Sequence, residues 1–504
     1  MSRLKNTARN IYFGYISSIL SLGLGFIART VFIHVLGTTY LGINGLFTNL
    51  LTVLSFAELG IGTAINYSLY NPVAKHDMEK IKSIMMFYKV AYMLIALVIT
   101  VVGVGIIPFL DNIIKGADAI YNIKTYYMIF LFNTVSSYFV TYKFSLVNAE
   151  QKNYIYTNIN TIVNIIIVII QIIVLLVFKN FIVYLLSAAI IGLVQKIFIN
   201  NYLNKMYPYL LDKPIKKLSK EELAPIKKNV AALVWHKIGE ISVHQTDNII
   251  ISAFINIGMV GLISNYNLIM VSVSGFVNII FNSATASFGN LMAVESKERQ
   301  YELFKIYRFL AFWLYGFSSV AFIILMTPFI VLWIGTKMVV TAPVILLMVI
   351  NYYMLGHRIC INNIKSASGV FNQDKYLSLI QAMVNLVVSI VGVKLIGLPG
   401  VYVGTIMQGL ICSIVRPIII YKHIFNVNPI NYFVDSVKFG VIVVIAGVIC
   451  YLFQIYVASS VTIPNLLIMM AIVILVPNVL FYTFFQRREE FVSIQRLVVS
   501  IIRG

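Results

Sequence analysis

A chain of 504 residues that is 60% hydrophobic and only 11% charged carries more apolar surface than a soluble core can bury. That composition excludes a soluble globular enzyme and describes a polytopic membrane protein. The formal net charge of +20 does not point to nucleic acid, because the basic residues fall in short loops between apolar spans, where a positive-inside bias puts them.

Arg3, Lys5 and Arg9 precede the first apolar run, and no small-residue cleavage site follows. The first span is therefore expected to be a retained anchor. Length and flanking charge predict spans at 11–36, 41–70, 83–108, 124–148, 155–178, 181–203, 229–255, 258–292, 303–335, 341–367, 376–396, 399–421, 433–457 and 463–485. The expected fold is all-α, with about 14 transmembrane helices. With a cytoplasmic N-terminus the outer loops hold only Lys115, Lys124, Lys179, Lys337 and Lys394. Both termini are accordingly expected to be cytoplasmic, in the cell membrane.

In the first span Gly14, Ser18, Ser21, Gly25 and Arg29 share one helical face. Close helix packing explains the small residues as well as a cavity wall does. Arg29 either snorkels to the outer interface or faces a cavity, where its guanidinium would suit a phosphate or an acidic sugar. The second span carries Thr48, Thr52, Ser55, Glu58, Gly62 and Asn66 at helical spacing. Glu58 is deep, and Glu58-Leu59-Gly60-Ile61-Gly62 allows a break or a close approach. It is either a structural carboxylate or a functional one.

The linker 204–228 holds Pro208, Pro214, Pro225 and six lysines between Lys213 and Lys228. It reads as a solvated loop, with attraction to anionic lipid head groups as the sharper alternative. The seventh span is the most polar. Lys237, Glu240, His244 and Asp247 recur at three, four and three residues, so they form one stripe climbing about 15 Å. Charges at that depth pair with one another or line a wet cavity. Internal pairing of Lys237 with Glu240 and of His244 with Asp247 is one reading. The other is a hydrated wall in which cations hold an anionic substrate while carboxylates or His244 exchange protons. The eighth span has the neutral stripe Asn267, Ser274, Asn278, Asn282 and Thr285, which suits interhelical hydrogen bonds or contacts to a sugar. In the tenth, His357, Arg358, Asn362 and Asn363 approach the cytoplasmic end. Cys360, Cys412 and Cys450 lie in apolar spans without pairing or metal-ligand spacing, so they are packing residues.

The chain also repeats itself. Gln151-Lys152-Asn153-Tyr154 recurs as Gln373-Asp374-Lys375-Tyr376, an offset of 222. Leu41-Gly42-Ile43 with Phe47 recurs as Val260-Gly261-Leu262 with Tyr266, an offset of 219. Two parallel six-span halves follow, 1–225 with its linker and 226–430, with two further spans and a tail in 431–504. The same offset sets Arg29 against Asp247 and Asn248. No phosphate-binding Gly-x-x-x-x-Gly-Lys loop or His-Glu-x-x-His motif occurs, and the longest outer connection is too short for a catalytic domain. These features argue against an enzyme.

Phe26-Ile27-Ala28-Arg29-Thr30-Val31-Phe32, Leu36-Gly37-Thr38-Thr39-Tyr40-Leu41-Gly42-Ile43 and Glu58-Leu59-Gly60-Ile61-Gly62-Thr63-Ala64 resemble the start of Wzx-type polysaccharide flippases. Thr246-Asp247-Asn248-Ile249, Ala286-Ser287-Phe288-Gly289-Asn290 and Leu332-Trp333-Ile334-Gly335 agree with it in the second half. The resemblance places the chain in the multidrug/oligosaccharidyl-lipid/polysaccharide exporter (MOP) superfamily and implies a MATE-like fold of two six-helix lobes around a central cavity. It implies alternating-access movement of an undecaprenyl-diphosphate-linked oligosaccharide from the inner to the outer leaflet, for capsule, exopolysaccharide or related cell-surface polymers. Arg29 and Lys237 are the positions to which it assigns substrate binding; from their own placement Asn267, Asn278 and Arg358 are further candidate contacts, with snorkelling the alternative for Arg358. Glu58, Glu240, His244 and Asp247 become candidates for proton or sodium coupling, with no bound cofactor or metal. The implied partners are the lipid-linked oligosaccharide, membrane lipids and other membrane proteins of polysaccharide assembly. A cation-coupled drug or small-molecule antiporter on the same fold is the rival reading, since three cations and three carboxylates leave the intramembrane charge balanced.

Overall fold

The computed structural model describes residues 2–58, 61–116, 120–212, 245–368, 376–458 and 460–503, with isolated positions between, Asp374 among them. Among these residues every regular element is a helix. Lys237, Glu240 and His244 lie outside the described residues, as do the side chains of Gly14, Ser18, Ser21, Asn282 and Thr285.

Eleven described helices are long and apolar enough to cross a membrane, so the chain is a multi-pass membrane protein. Three of the fourteen spans expected from the sequence do not appear separately among these eleven. The first two spans run together as α1, Ser2–Leu54, interrupted only at Gly37. The fourth is the 27-residue helix α4, Ile123–Ala149, whose tyrosines and serines lower its apolarity. The seventh, 229–255, is described only from 245, where the helix α7 runs over 245–254.

The chain forms two compact units, Met1–Gly261 and Leu262–Gly504. The first contains α1, α2 (Ile61–Ala74), α3 (Met78–Ile106), α4, α5 (Asn153–Phe178), α6 (Phe181–Met206) and α7. Gly37 separates the two parts of α1 with φ of 83°, in the left-handed region that a side chain disfavours, so one residue serves as the connection expected at 37–40. The second predicted span is not one helix. It stops at Leu54, tightens into a 3-10 turn over Ser55–Glu58 and restarts at Ile61, where the glycines allow a break. Start signals are local: the Asp77 carboxylate accepts from the Lys80 amide at 3.0 Å, and Asn180 Oδ1 from the Ile182 amide at 2.8 Å. Helix α3 shows how the bundle sorts its faces. Tyr88, Tyr92, Ile95 and Ile99 recur every three or four residues and are buried, whereas Leu94, Leu97 and Val101 are exposed for lipid.

The second unit contains α8 (Ile257–Val294, from Leu262 on), α9 (Lys297–Ile334), α10 (Ala342–Ser368), α11 (Leu377–Ile396), α12 (Leu398–Ile420), α13 (Ile430–Val457), α14 (Ile463–Phe485) and α15 (Glu489–Arg503). Helices α13 and α14 pack on α9 through Phe309, Phe312, Phe439, Phe481 and Phe485. The rings of Phe312 and Phe439 stack with centroids 4.1 Å apart. The tail beyond 485, left without structure by the sequence reading, is helical in α15, and Phe491 stacks on Trp313 at 5.6 Å. Cys360, Cys412 and Cys450 are free and buried, as packing residues should be.

Candidate functional site

The polar interior of the first unit gathers around Glu58. Its 3-10 turn brings the carboxyl to α3 and α4, within interaction range of the hydroxyls of Tyr92 and Tyr138. The Tyr138 hydroxyl also donates to Ser55 Oγ at 3.0 Å, and Ser55 Oγ donates to the Leu51 carbonyl at 2.8 Å. A phenol has one proton, so Tyr138 cannot donate to Ser55 and to Glu58 at once. With Glu58 protonated, the chain Glu58 to Tyr138 to Ser55 to Leu51 is satisfied throughout. With Glu58 ionised, Tyr138 turns to the carboxylate and Ser55 loses only an incoming bond. The arrangement accommodates both protonation states, which an ordinary structural ion pair does not. Thr48 and Thr52 do not join it, because each returns its hydroxyl to the carbonyl four residues back, Asn44 and Thr48.

Arg29 lies half-buried on α1, within electrostatic reach of Tyr184 on α6. Phe32, one turn on, meets the Tyr184 ring edge-on at 5.1 Å. Asp247 is half-buried on α7. The carbonyl of Ser252 on that helix accepts from the Lys115 amide at 3.1 Å, and that of Phe254 from Lys115 Nζ at 3.3 Å.

The same unit holds a reciprocal contact. The sequence offset of 219 carries Thr38 onto Ile257 and Gly42 onto Gly261. A Cβ on Gly42 would overlap the Ile257 carbonyl, and a Cβ on Gly261 would overlap the Thr38 carbonyl. Each glycine therefore packs on the repeat equivalent of the residue that its own counterpart packs on. Such mutual packing is what a local two-fold relation between equivalent segments produces.

In the second unit Asn278 Oδ1 accepts from the Tyr315 hydroxyl at 2.6 Å, tying α8 to α9, while Asn267 is exposed on α8. Arg358 is buried, its Nη1 3.5 Å from the Gly409 carbonyl, and among the described residues no carboxylate pairs with it. Its neighbour His357 is buried beside Tyr353, with ring centroids 4.6 Å apart.

Two buried ionic clusters of this unit escaped the sequence reading. Arg308 donates to the Tyr432 carbonyl at 2.6 Å and to Ser436 Oγ at 2.7 Å, and lies 3.9 Å over the Tyr432 ring. Asp435 serves both Arg308, at 3.8 Å, and Arg488, at 2.8 Å. Asp374, inside the repeated Gln373-Asp374-Lys375-Tyr376 motif, accepts from Lys365 at 2.6 Å and from Arg416 at 3.0 Å. The first copy of the motif is held differently: Glu150 takes Lys152 at 2.7 Å and the Tyr207 hydroxyl at 2.8 Å. Lys196 was also missed. Its ammonium donates to the carbonyl and Oδ1 of Asn133 and to Ser136 Oγ, at 2.7–2.9 Å.

No family model matches the chain, and no curated protein does. Solved structures do. The lipid II flippase MurJ in an inward closed conformation superposes with a TM-score of 0.67 at 16% identity, over 94% of this chain and 99% of that one. An inward-facing multidrug resistance MATE family transporter of the MOP superfamily gives 0.60 at 14% identity, over 79% of this chain and 92% of that one. The Vibrio cholerae MATE transporter VcmN in its bent form gives 0.53 at 14% identity, over 82% and 96%. The fold is accordingly the one that MurJ and the MATE transporters share.

Proposed function

We propose that this protein is a flippase that carries a polyprenyl-diphosphate-linked oligosaccharide from the inner to the outer leaflet by alternating access. The observation that carries the reading is the extent of the likeness to MurJ, whose name states a lipid-linked substrate. That likeness runs over nearly the whole chain, whereas the MATE transporters leave about a fifth of it unmatched.

In this reading the polar head enters a cavity open to the cytoplasm while the polyprenyl tail stays in lipid. Arg29 offsets diphosphate charge, with Lys237 as a second cation by resemblance. Arg358 contributes at most through the field it sets up, since it is buried. Glu58 exchanges the coupling proton through the Tyr92–Tyr138–Ser55 network, and Asp247 follows it in the cycle. The reciprocal packing at Gly42 and Gly261 must part for the outer side to open.

The test is complementation of a deletion strain. Arg29→Ala and Asp247→Asn should each abolish surface polymer while the protein inserts at normal levels. Normal polymer from both variants would sink the proposal. Unchanged polymer with new drug sensitivity in the deletion strain would assign the chain to antiport.

A further inference from the structure

We propose that the first unit holds a site for the phosphate head group of an anionic membrane phospholipid, in a pocket formed by α3, α4 and α6 around Lys143. The helix ends at Met78, Ala149 and Met206 lie on one side of the membrane, and the pocket opens near that side. Its volume is about 380 Å³, and Lys82, Lys89, Lys143, Asn200 and Asn204 line it.

Lys143 is the informative member. Its side chain is only 6% exposed, yet its ammonium donates to two neutral acceptors, Asn200 Oδ1 at 2.6 Å and Asn204 Oδ1 at 2.5 Å. Among the described residues no carboxylate pairs with it. An ammonium has three N–H donors, so one remains for the pocket. A buried cation without a counter-ion is costly, and a bound anion is the direct compensation. The remaining charges favour the same ligand. Lys82 is held by Glu79 at 2.8 Å, Lys89 is exposed, and Asp212 stands 3.9 Å from Lys82 with its side chain 73% in the open. Both carboxylates, Glu79 and Asp212, thus sit on Lys82, and among the described residues Lys89 and Lys143 have none.

A lipid is favoured over a soluble anion by what surrounds the charges. Met86, Phe139 and Leu211 line the same pocket and are exposed, as are Val90 and Met93 further along α3. A phosphate seated on Lys143 and Lys89 would leave acyl chains lying along that apolar strip. The sequence motive is plain afterwards: lysines near a helix end, with asparagines at four-residue spacing on a neighbour, build an amphipathic slot at head-group depth.

The experiment is native mass spectrometry of the full-length protein in detergent, titrated with phosphatidylglycerol or phosphatidylcholine of equal chain length. Phosphatidylglycerol should bind at least about tenfold more tightly. Lys89→Gln should weaken it about fivefold, the cost of one interfacial charge, and leave phosphatidylcholine unchanged. Lys143→Gln should remove the preference. Should that variant fail to fold, Lys82→Gln combined with Lys89→Gln reads the same site from its exposed side. Lys75→Gln, exposed near the same membrane face but outside the pocket, should change nothing. Equal binding of the two lipids, or equal losses in Lys75→Gln and Lys89→Gln, would overturn the proposal. So would full displacement by millimolar inorganic phosphate, which would assign the pocket to a soluble anion.

Discussion

Glu58 shows how much one side chain can disclose. Its depth and the glycines after it were legible in sequence. Its partners were not, because Tyr92 and Tyr138 are 34 and 80 residues away and tyrosine in a membrane helix has no periodic signature. The network makes a residue-scale prediction. Glu58→Gln keeps hydrogen-bonding capacity but cannot exchange a proton, so it should insert normally and lose about tenfold or more of polymer output. Glu58→Ala should in addition lower thermal stability, since two buried phenols lose an acceptor at about 1–3 kcal/mol. Full output from Glu58→Gln, with membrane levels checked by immunoblot, would remove Glu58 from the coupling role. Lys143 and Lys196 teach the opposite lesson. In sequence they merge with the positive-inside excess, and only the asparagines across the helix interface identify them as ties between helices, Lys143 buried and Lys196 half-buried.

At the scale of elements, hydrophobic length recovered nearly every helix, because lipid demands apolar runs of about twenty residues and leaves few alternatives. Boundaries failed where backbone geometry intervened: at Gly37, where one residue turns the chain, and at Ser55–Glu58, where a 3-10 turn splits a predicted span. The repeat was legible in residue identity, and its meaning became physical at Gly42 and Gly261. A side chain at either position collides with backbone, so the contact is specified by glycine alone. A built Cβ at Gly258 lies 3.9 Å from Thr38 Oγ1, within reach of a disulfide after modest adjustment. Thr38→Cys with Gly258→Cys should therefore cross-link under mild oxidation. The three native cysteines are buried and will not compete. Transport should stop in the cross-linked protein and return with reductant. Activity that persists in the fully cross-linked form would show that this contact need not open.

At the scale of the molecule, the ionic clusters of the second unit decide what its last helices are for. None was read from the sequence, because their members lie 9 to 128 positions apart, on different helices and on the connections between them. Arg308 is 3% exposed and depends on Asp435, which also holds Arg488. Removing the carboxylate alone leaves a buried cation uncompensated, so Asp435→Asn should destabilise the protein by about 3–5 kcal/mol. Replacing the whole group, as Arg308→Met, Asp435→Leu and Arg488→Met together, deletes the desolvation cost with the attraction and should recover most of that loss. Thermal unfolding in detergent measures both. The triple variant also separates two roles for α13 and α14. If these helices only brace α9, restored stability brings restored polymer. If the charges themselves act on a diphosphate head group, the triple variant is stable and silent. The buried geometry of Arg308, capped by a carbonyl and stacked on Tyr432, favours the first outcome.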